Sequence, residues 1–317
     1  MKRAILGLGL VAPAVGDSLR VRSIPRLEDV RLKRLPRLEL MALAAARQAL
    51  PQSAEAQDLA VVLGTGYGGL TATRDFLEGL ATRGGEFGSP MAFQQSVHHS
   101  PGGQISILLG AQGPALTTSA RELSGESALQ VALTLLDTGR AKRVLVVAAD
   151  EWTPILEAGY QAFAPLASAD AGQPSGTFPP GEGAAAVLLG EGPGPLWVES
   201  CTLTAHRCPV LRFPSPEQFR PLLLEGARIR GSAVSISLAA PSPTVQESER
   251  AVLAELVSAP TLWVETPTFG LNPSAGLLRL VAAATRLQDG PAGSACALHG
   301  LAMGGGQSIT VVRHAGP

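Results

Sequence analysis

Residues 113–151 read GPALTTSARELSGESALQVALTLLDTGRAKRVLVVAADE. A short β-rich run, Ala115 to Ser119, precedes Gly125 to Thr138, whose apolar residues recur at spacings of three and four, as on one helix face. After the Gly139 joint, Arg143 to Asp150 is an apolar, β-branched run of strand length that ends in a polar cluster. Strand, amphipathic helix, strand is the repeating unit of an α/β protein.

Outward from this unit the alternation continues. Strands are expected at Ala4 to Pro13, Ala60 to Gly64, Ala184 to Gly190, Leu196 to Thr202, Ala233 to Ala239, Thr261 to Thr266, Ser294 to His299 and Ser308 to Arg313. Helical spacing marks Leu40 to Ala49, Leu70 to Arg83, Gly103 to Gly110, Pro216 to Ala227, Gln246 to Val257 and Ala275 to Gln288. The opening unit resembles Ala233 to Ala239, helix, Thr261 to Thr266, which reads as an internal duplication. Two halves are therefore expected, residues 1–191 and a shortened 192–317, with the seam in the stretch Glu191 to Pro195. The Pro/Gly/Ser-rich segment Ala169 to Pro180 reads as a surface loop.

The chain has 317 residues, 45% of them hydrophobic and 16% charged, enough apolar material for a large core. Lys and Arg total 25 against 26 Asp and Glu, a net charge of -1, so a nucleic-acid or membrane partner is not expected. Every apolar run is far shorter than the roughly 20 residues of a membrane span. Cys201, Cys208 and Cys296 form neither a disulfide framework nor a metal-binding spacing, so no metal is expected and the cytoplasm is the expected compartment.

Five motifs in order resemble the N-terminal half of the β-ketoacyl synthases, the condensing enzymes of fatty acid and polyketide synthesis. They are VVLGTGYGG (Val61 to Gly69), SPMAFQQSVHHSPGGQISI (Ser89 to Ile107), GPALTTS (Gly113 to Ser119), RVLVVAADE (Arg143 to Glu151) and GEGAAAVLL (Gly181 to Leu189). The resemblance implies the thiolase-like fold, two similar βαβαβαββ halves in a five-layered αβαβα body. No cofactor is implied.

The same resemblance implies where reactive groups belong. The family carries its acyl chain on a Cys at a helix N-terminus and stabilises an enolate with two His. Laid on that pattern, TTSARELSGESAL (Thr117 to Leu129) has Glu122 at the Cys, SLAAPSPTVQESERAVLAEL (Ser237 to Leu256) has Ala240 at the first His, and ETPTFGLNPSAGLLRL (Glu265 to Leu280) has Leu271 at the second. Thr266 stands at the family's Lys. LAMGGGQSITVV (Leu301 to Val312) resembles its gating loop, with Met303, Gly304 and Gly305 at the gate. Met91, Ala92, Phe93 and Ser96 fall where the family lines the end of its partner's acyl tunnel.

Other reactive side chains have structural readings: His98 and His99 in packing and helix capping, Cys296 as a small strand hydrophobe, Glu182 as a fold residue. Cys208 beside His206 lacks a third partner for a nucleophile role. Glu122 is read as a carboxylate stabilising a helix dipole. Loss of all three reactive residues implies a non-catalytic subunit like a chain length factor. Such a subunit pairs as a heterodimer with an active ketosynthase and meets the acyl carrier protein through that complex, in polyketide synthesis of the polyene type. An enzyme using Glu122 for acyl-thioester chemistry and a homodimeric acyl-binding scaffold are the alternatives.

Overall fold

The computed structural model describes residues 3–14, 19–25, 32, 35–51, 56–84, 88–168, 179–256 and 260–315. In chain order the first half holds β1 (Arg3–Val11), α1 (Arg37–Ala49), β2 (Leu59–Gly64), α2 (Leu70–Arg83), α3 (Pro90–Ser96), α4 (Ser100–Leu109), β3 (Ala115–Thr118), α5 (Ser124–Asp137), β4 (Arg143–Asp150), α6 (Pro154–Ser168) and β5 (Gly183–Gly190). The second holds β6 (Leu196–Ala205), α7 (Pro216–Ala227), β7 (Val234–Ser237), α8 (Pro243–Leu253), β8 (Thr261–Trp263), α9 (Thr266–Phe269), α10 (Ala275–Gln288), β9 (Ala295–Leu301) and β10 (Gly306–His314). All strands expected from the sequence are present. Most of the segment expected as a surface loop, Ala169 to Pro180, lies outside the described residues.

Strand order is β3-β2-β4-β5-β1-β6-β10-β9-β7-β8. Read inward from either end, it is the third, second, fourth, fifth and first strand of each half. The hydrogen-bonding sense repeats as well: β2 lies parallel to β3 and β4, β7 parallel to β8 and β9, and the inner pairs are antiparallel. The sheet passes from one half to the other through β1 and β6, where Arg3 pairs with Val198 and Ala4 with Trp197. This order corrects the internal match drawn from the sequence. The partner of β3-α5-β4 is β8-α10-β9, not β7-α8-β8, because each half holds two successive strand–helix–strand units that the hydrophobic pattern cannot tell apart.

The continuous apolar runs are explained by burial on both faces. In β4, Val144, Val146 and Ala148 point into one core and Leu145, Val147 and Ala149 into another; β2 and β5 divide the same way. One outer core is closed by α1 and Ile105 of α4, and the opposite one by α7 and α8. Between the sheets lie α5 and α10, contributing Ala128, Leu129, Leu277 and Val281 to the central core. The result is five layers, α/β/α/β/α, the thiolase-like arrangement.

Ser-Pro dipeptides set several helix starts. Ser89 Oγ accepts from Ala92 N–H, Ser242 Oγ accepts from Val245 N–H, and Gln218 reaches back to Ser215 N–H in a capping box. His99 occupies the cap position of α4 but makes no capping bond, so its expected capping role is not met. His98 instead lies flat against Gly68. Glu182 is a structural pin: its carboxylate accepts from the Val21 and Trp152 N–H groups and pairs with Arg37. No helix among the described residues is long and apolar enough to cross a membrane.

Candidate functional site

The turns after β3, β7 and β8 and the β9–β10 hairpin converge at one end of the sheets. Glu122 lies in the turn between β3 and α5, where Arg121 adopts φ 53°. Ala240 follows β7 with φ 41°. A left-handed conformation costs a non-glycine residue roughly 1–2 kcal/mol, so the surroundings must hold both turns in place.

For Ala240 the hold is visible. The Glu249 carboxylate accepts from Ala239 N–H at 2.9 Å and Ala240 N–H at 2.8 Å, and meets His299 Nδ1 at 2.6 Å, with both Glu249 and His299 fully buried. Arg279 ties this group to the central layer. Its Nη1 donates to the Leu238 and His299 carbonyls, both at 2.7 Å, and its Nη2 stands 3.7 Å from Glu126. The Glu249–His299 pair was not found from the sequence, since fifty positions separate its members and no local pattern marks either one.

Glu122, Leu271, Thr266, the two neighbours of Ala240 and Arg279 line one small cavity of about 20 Å³, room for about one water. The three positions inferred from the resemblance are therefore brought together. Leu271 is held by backbone bonds on both sides, its N–H to the Pro179 carbonyl and its carbonyl to Gly181 N–H, while Thr266 Oγ1 donates to the Ala239 carbonyl. No Cys or His lines the cavity. Glu122 is nine-tenths buried, and burial raises its carboxyl above the usual carboxylate range. Its Oε2 accepts from Met303 N–H at 3.2 Å, and its own backbone N–H also favours the charged form.

Outside this bond lies an open cleft of about 730 Å³, lined by Arg121, Cys208, Val210, Met303 and Gly304 among others. The β9–β10 hairpin is clasped on this side. Arg121 Nη1 donates to the Val210 and Met303 carbonyls, Gly304 N–H to Arg212, and His206 N–H to Gly305. Gly304 and Gly305 have φ 86° and 104°, and a Cβ on Gly305 would meet the His206 carbonyl oxygen at 1.9 Å.

The remaining thiols are poorly disposed to react. Cys208 donates to the Arg212 and Phe213 carbonyls, and burial raises its thiol. Burial pushes Cys201 and Cys296 up to about 12. Among the described residues no cluster of His, Cys, Asp or Glu could hold a metal ion.

Met91, Ala92, Phe93 and Ser96 lie away from the cavity, on α3, none of whose residues is buried. They line neither the cavity at Glu122 nor the open cleft, and none of them is a core residue. Phe93 packs on Phe76 of α2, with ring centroids 5.4 Å apart.

No curated protein matches the sequence. Among solved structures, a chain of the ishigamide ketosynthase/chain length factor superposes with TM-score 0.79 at 20% identity, covering 100% of both chains. A type II PKS acyl-carrier protein in complex with its ketosynthase bound to the hexaketide gives TM-score 0.80 at 15% identity, over 99% of this chain and 100% of that one. A ketosynthase in complex with its chain length factor from Xenorhabdus doucetiae gives TM-score 0.75 at 17% identity, over 99% and 98%. These likenesses are of fold. The sequence itself matches the model of the β-ketoacyl synthase N-terminal domain over residues 12–175, more than half its length, and the chain belongs to the β-ketoacyl synthase family.

Proposed function

We propose that this chain is a cytoplasmic, non-catalytic subunit of the chain length factor type, which pairs with an active ketosynthase in polyketide synthesis of the polyene type. Its two ketosynthase-like halves are residues 1–191 and 192–317. The carrier protein meets it through the complex. The observation that carries this reading is an uncovered edge. Among the described residues, strand β3 ends the sheet and pairs only with β2, and five of the seven exposed large apolar side chains, Leu77, Met91, Phe93, Ile107 and Leu116, lie on β3 or the adjacent helices α2 to α4. An unpaired edge bordered by apolar side chains favours continuation of the sheet into a second subunit. The small cavity without Cys or His supports a partner that supplies the chemistry.

Co-expression with an active ketosynthase of the same family, followed by native mass measurement, should give a one-to-one heterodimer. Leu116→Lys should abolish that complex while changing the stability of the isolated chain by less than about 1 kcal/mol, since Leu116 is 43% exposed. A homodimer that ignores the ketosynthase would favour the scaffold alternative. The isolated chain should form no ketoacyl product from acyl and malonyl carrier proteins. An acyl adduct on Cys208 or Glu122 would overturn the non-catalytic assignment.

A further inference from the structure

From Phe87 to Ala120 the chain carries no Asp, Glu, Lys or Arg, its longest stretch without them. This is not a buried stretch. It holds α3, α4 and β3, and Met91, Phe93, Ile107 and Leu116 are exposed in it beside exposed Gln94 and Gln112. Charged side chains ordinarily occupy exposed positions, and they are depleted where a surface is buried against a partner. The titratable side chains in the stretch are His98 and His99, both exposed. The His98 ring lies on Gly68 in the turn after β2, where Tyr67 meets the Tyr160 hydroxyl and Thr71 N–H donates to Glu151. Charges on the elements packed against α3 and α4 have partners of their own. On α2, Arg74 pairs with Asp75 and reaches Glu78; on α1, Arg37 pairs with Glu182, and the buried Glu39 accepts from Ser100 Oγ at 2.6 Å while burial raises its carboxyl. Arg83 and Arg47 stand in the last turns of those helices, and β2 and β3 carry no charged residue.

We propose that this uncharged face binds its partner tightly only while His98 and His99 are neutral. The inference rests on the pairing with an active ketosynthase and adds the chemistry of the partner's surface, which must itself be apolar and uncharged, since a charge brought against this face meets no opposite charge. Histidine is the side chain whose charge ordinarily changes between about pH 5 and 8. An imidazolium taken into an interface with Met91, Phe93 and Ile107 would lose its water without gaining an anion. The complex therefore binds fewer protons than the free subunit, and acid favours the free subunit. For an ordinary value near 6.5, each such His weakens binding about tenfold between pH 7.5 and pH 5.5, and the two together about a hundredfold. Salt has little effect, because the face offers no charge pairs to screen.

The experiment measures the heterodimer Kd with an active ketosynthase of the same family by calorimetry at about pH 7.5 and about pH 5.5, at low and high salt, for the wild type and the double variant H98Q/H99Q. The wild-type Kd should rise at least about tenfold on acidification and change less than about threefold with salt, while H98Q/H99Q pairs equally well at both pH values. A wild-type Kd independent of pH, a pH dependence kept in full by H98Q/H99Q, or a tenfold response to salt overturns the proposal and leaves the pairing standing. A homodimer in place of the heterodimer, or no complex at either pH, defeats the pairing itself and the proposal with it. A second readout covers failure of H98Q/H99Q to assemble. Diethyl pyrocarbonate at about pH 7.5 modifies neutral imidazoles, so by peptide mass His98 and His99 should be labelled in the free wild type and protected in the complex; equal labelling in both also overturns the proposal.

Discussion

Asp150 ends β4 fully buried, and four donors converge on its carboxylate: Thr65 Oγ1, Gly66 N–H, Tyr67 N–H and Ser274 Oγ, at 2.7 to 3.0 Å. It thereby ties the glycine-rich turn of the first half to the start of α10 in the second. Burial outweighs those donors and pushes Asp150 up to about 6. A carboxyl raised on folding contributes stability that is complete below its unfolded value near 4 and is lost as pH rises through about 6. Against Asp150→Asn, which does not titrate, the wild type should therefore lose roughly 2 kcal/mol of relative stability between pH 4 and pH 7 in urea denaturation. A relative gain over that interval would refute the assignment. At this scale the identities at 122, 240 and 271 were legible through the family resemblance. Their shared cavity, and the Glu249 carboxylate that holds Ala240, were not, because these contacts join residues far apart in sequence.

Helix α3 shows why some elements escape a hydrophobic pattern. None of its residues is buried, so it carries no core-facing stripe to recognise, although Ser89-Pro90 signals its start. Helix α9, with four residues, is too short for periodicity, and α6 lacked an assignment as well. The exposure of α3 also bears on function. If this face docks on a ketosynthase, Ala92 stands where a larger side chain would project into the partner, and overfilling a formed cavity costs about 1–3 kcal/mol. Ala92→Trp should leave the isolated chain folded and the first condensations of the complex near normal, while shifting products toward shorter chains. An unchanged product distribution in a normally assembled complex would remove Ala92 from the tunnel.

Across the whole molecule, the two halves meet through α5 and α10, and the buried Glu126 carboxyl of α5 packs closely against Gly276 of α10. A Cβ on Gly276 of α10 would stand 2.0 Å from the Glu126 carboxyl carbon, and one on Gly300 of β9 would stand 2.6 Å from its Oε1, so a side chain at either glycine must displace the Glu126 carboxyl. Gly276→Ala should cost about 1–3 kcal/mol in denaturant unfolding, and Glu126→Ala in the same chain should recover much of it, a coupling expected of residues in contact. Purely additive effects would show that the central layer is looser than this geometry. The sequence by itself determined the alternation of strands and helices and the apolar strands covered on both faces, because period and composition are local properties of the chain. By resemblance it also raised the expectation that Glu122, Ala240 and Leu271 stand in place of the family's reactive residues. Only the tertiary structure decided which units of the two halves correspond, the collapse of the site to the room of one water, the capture of the Glu122 carboxylate by Met303, and the uncovered β3 edge. Each of those depends on which distant segments hydrogen-bond and pack together, and a hydrophobic pattern that suits several pairings equally well cannot choose among them.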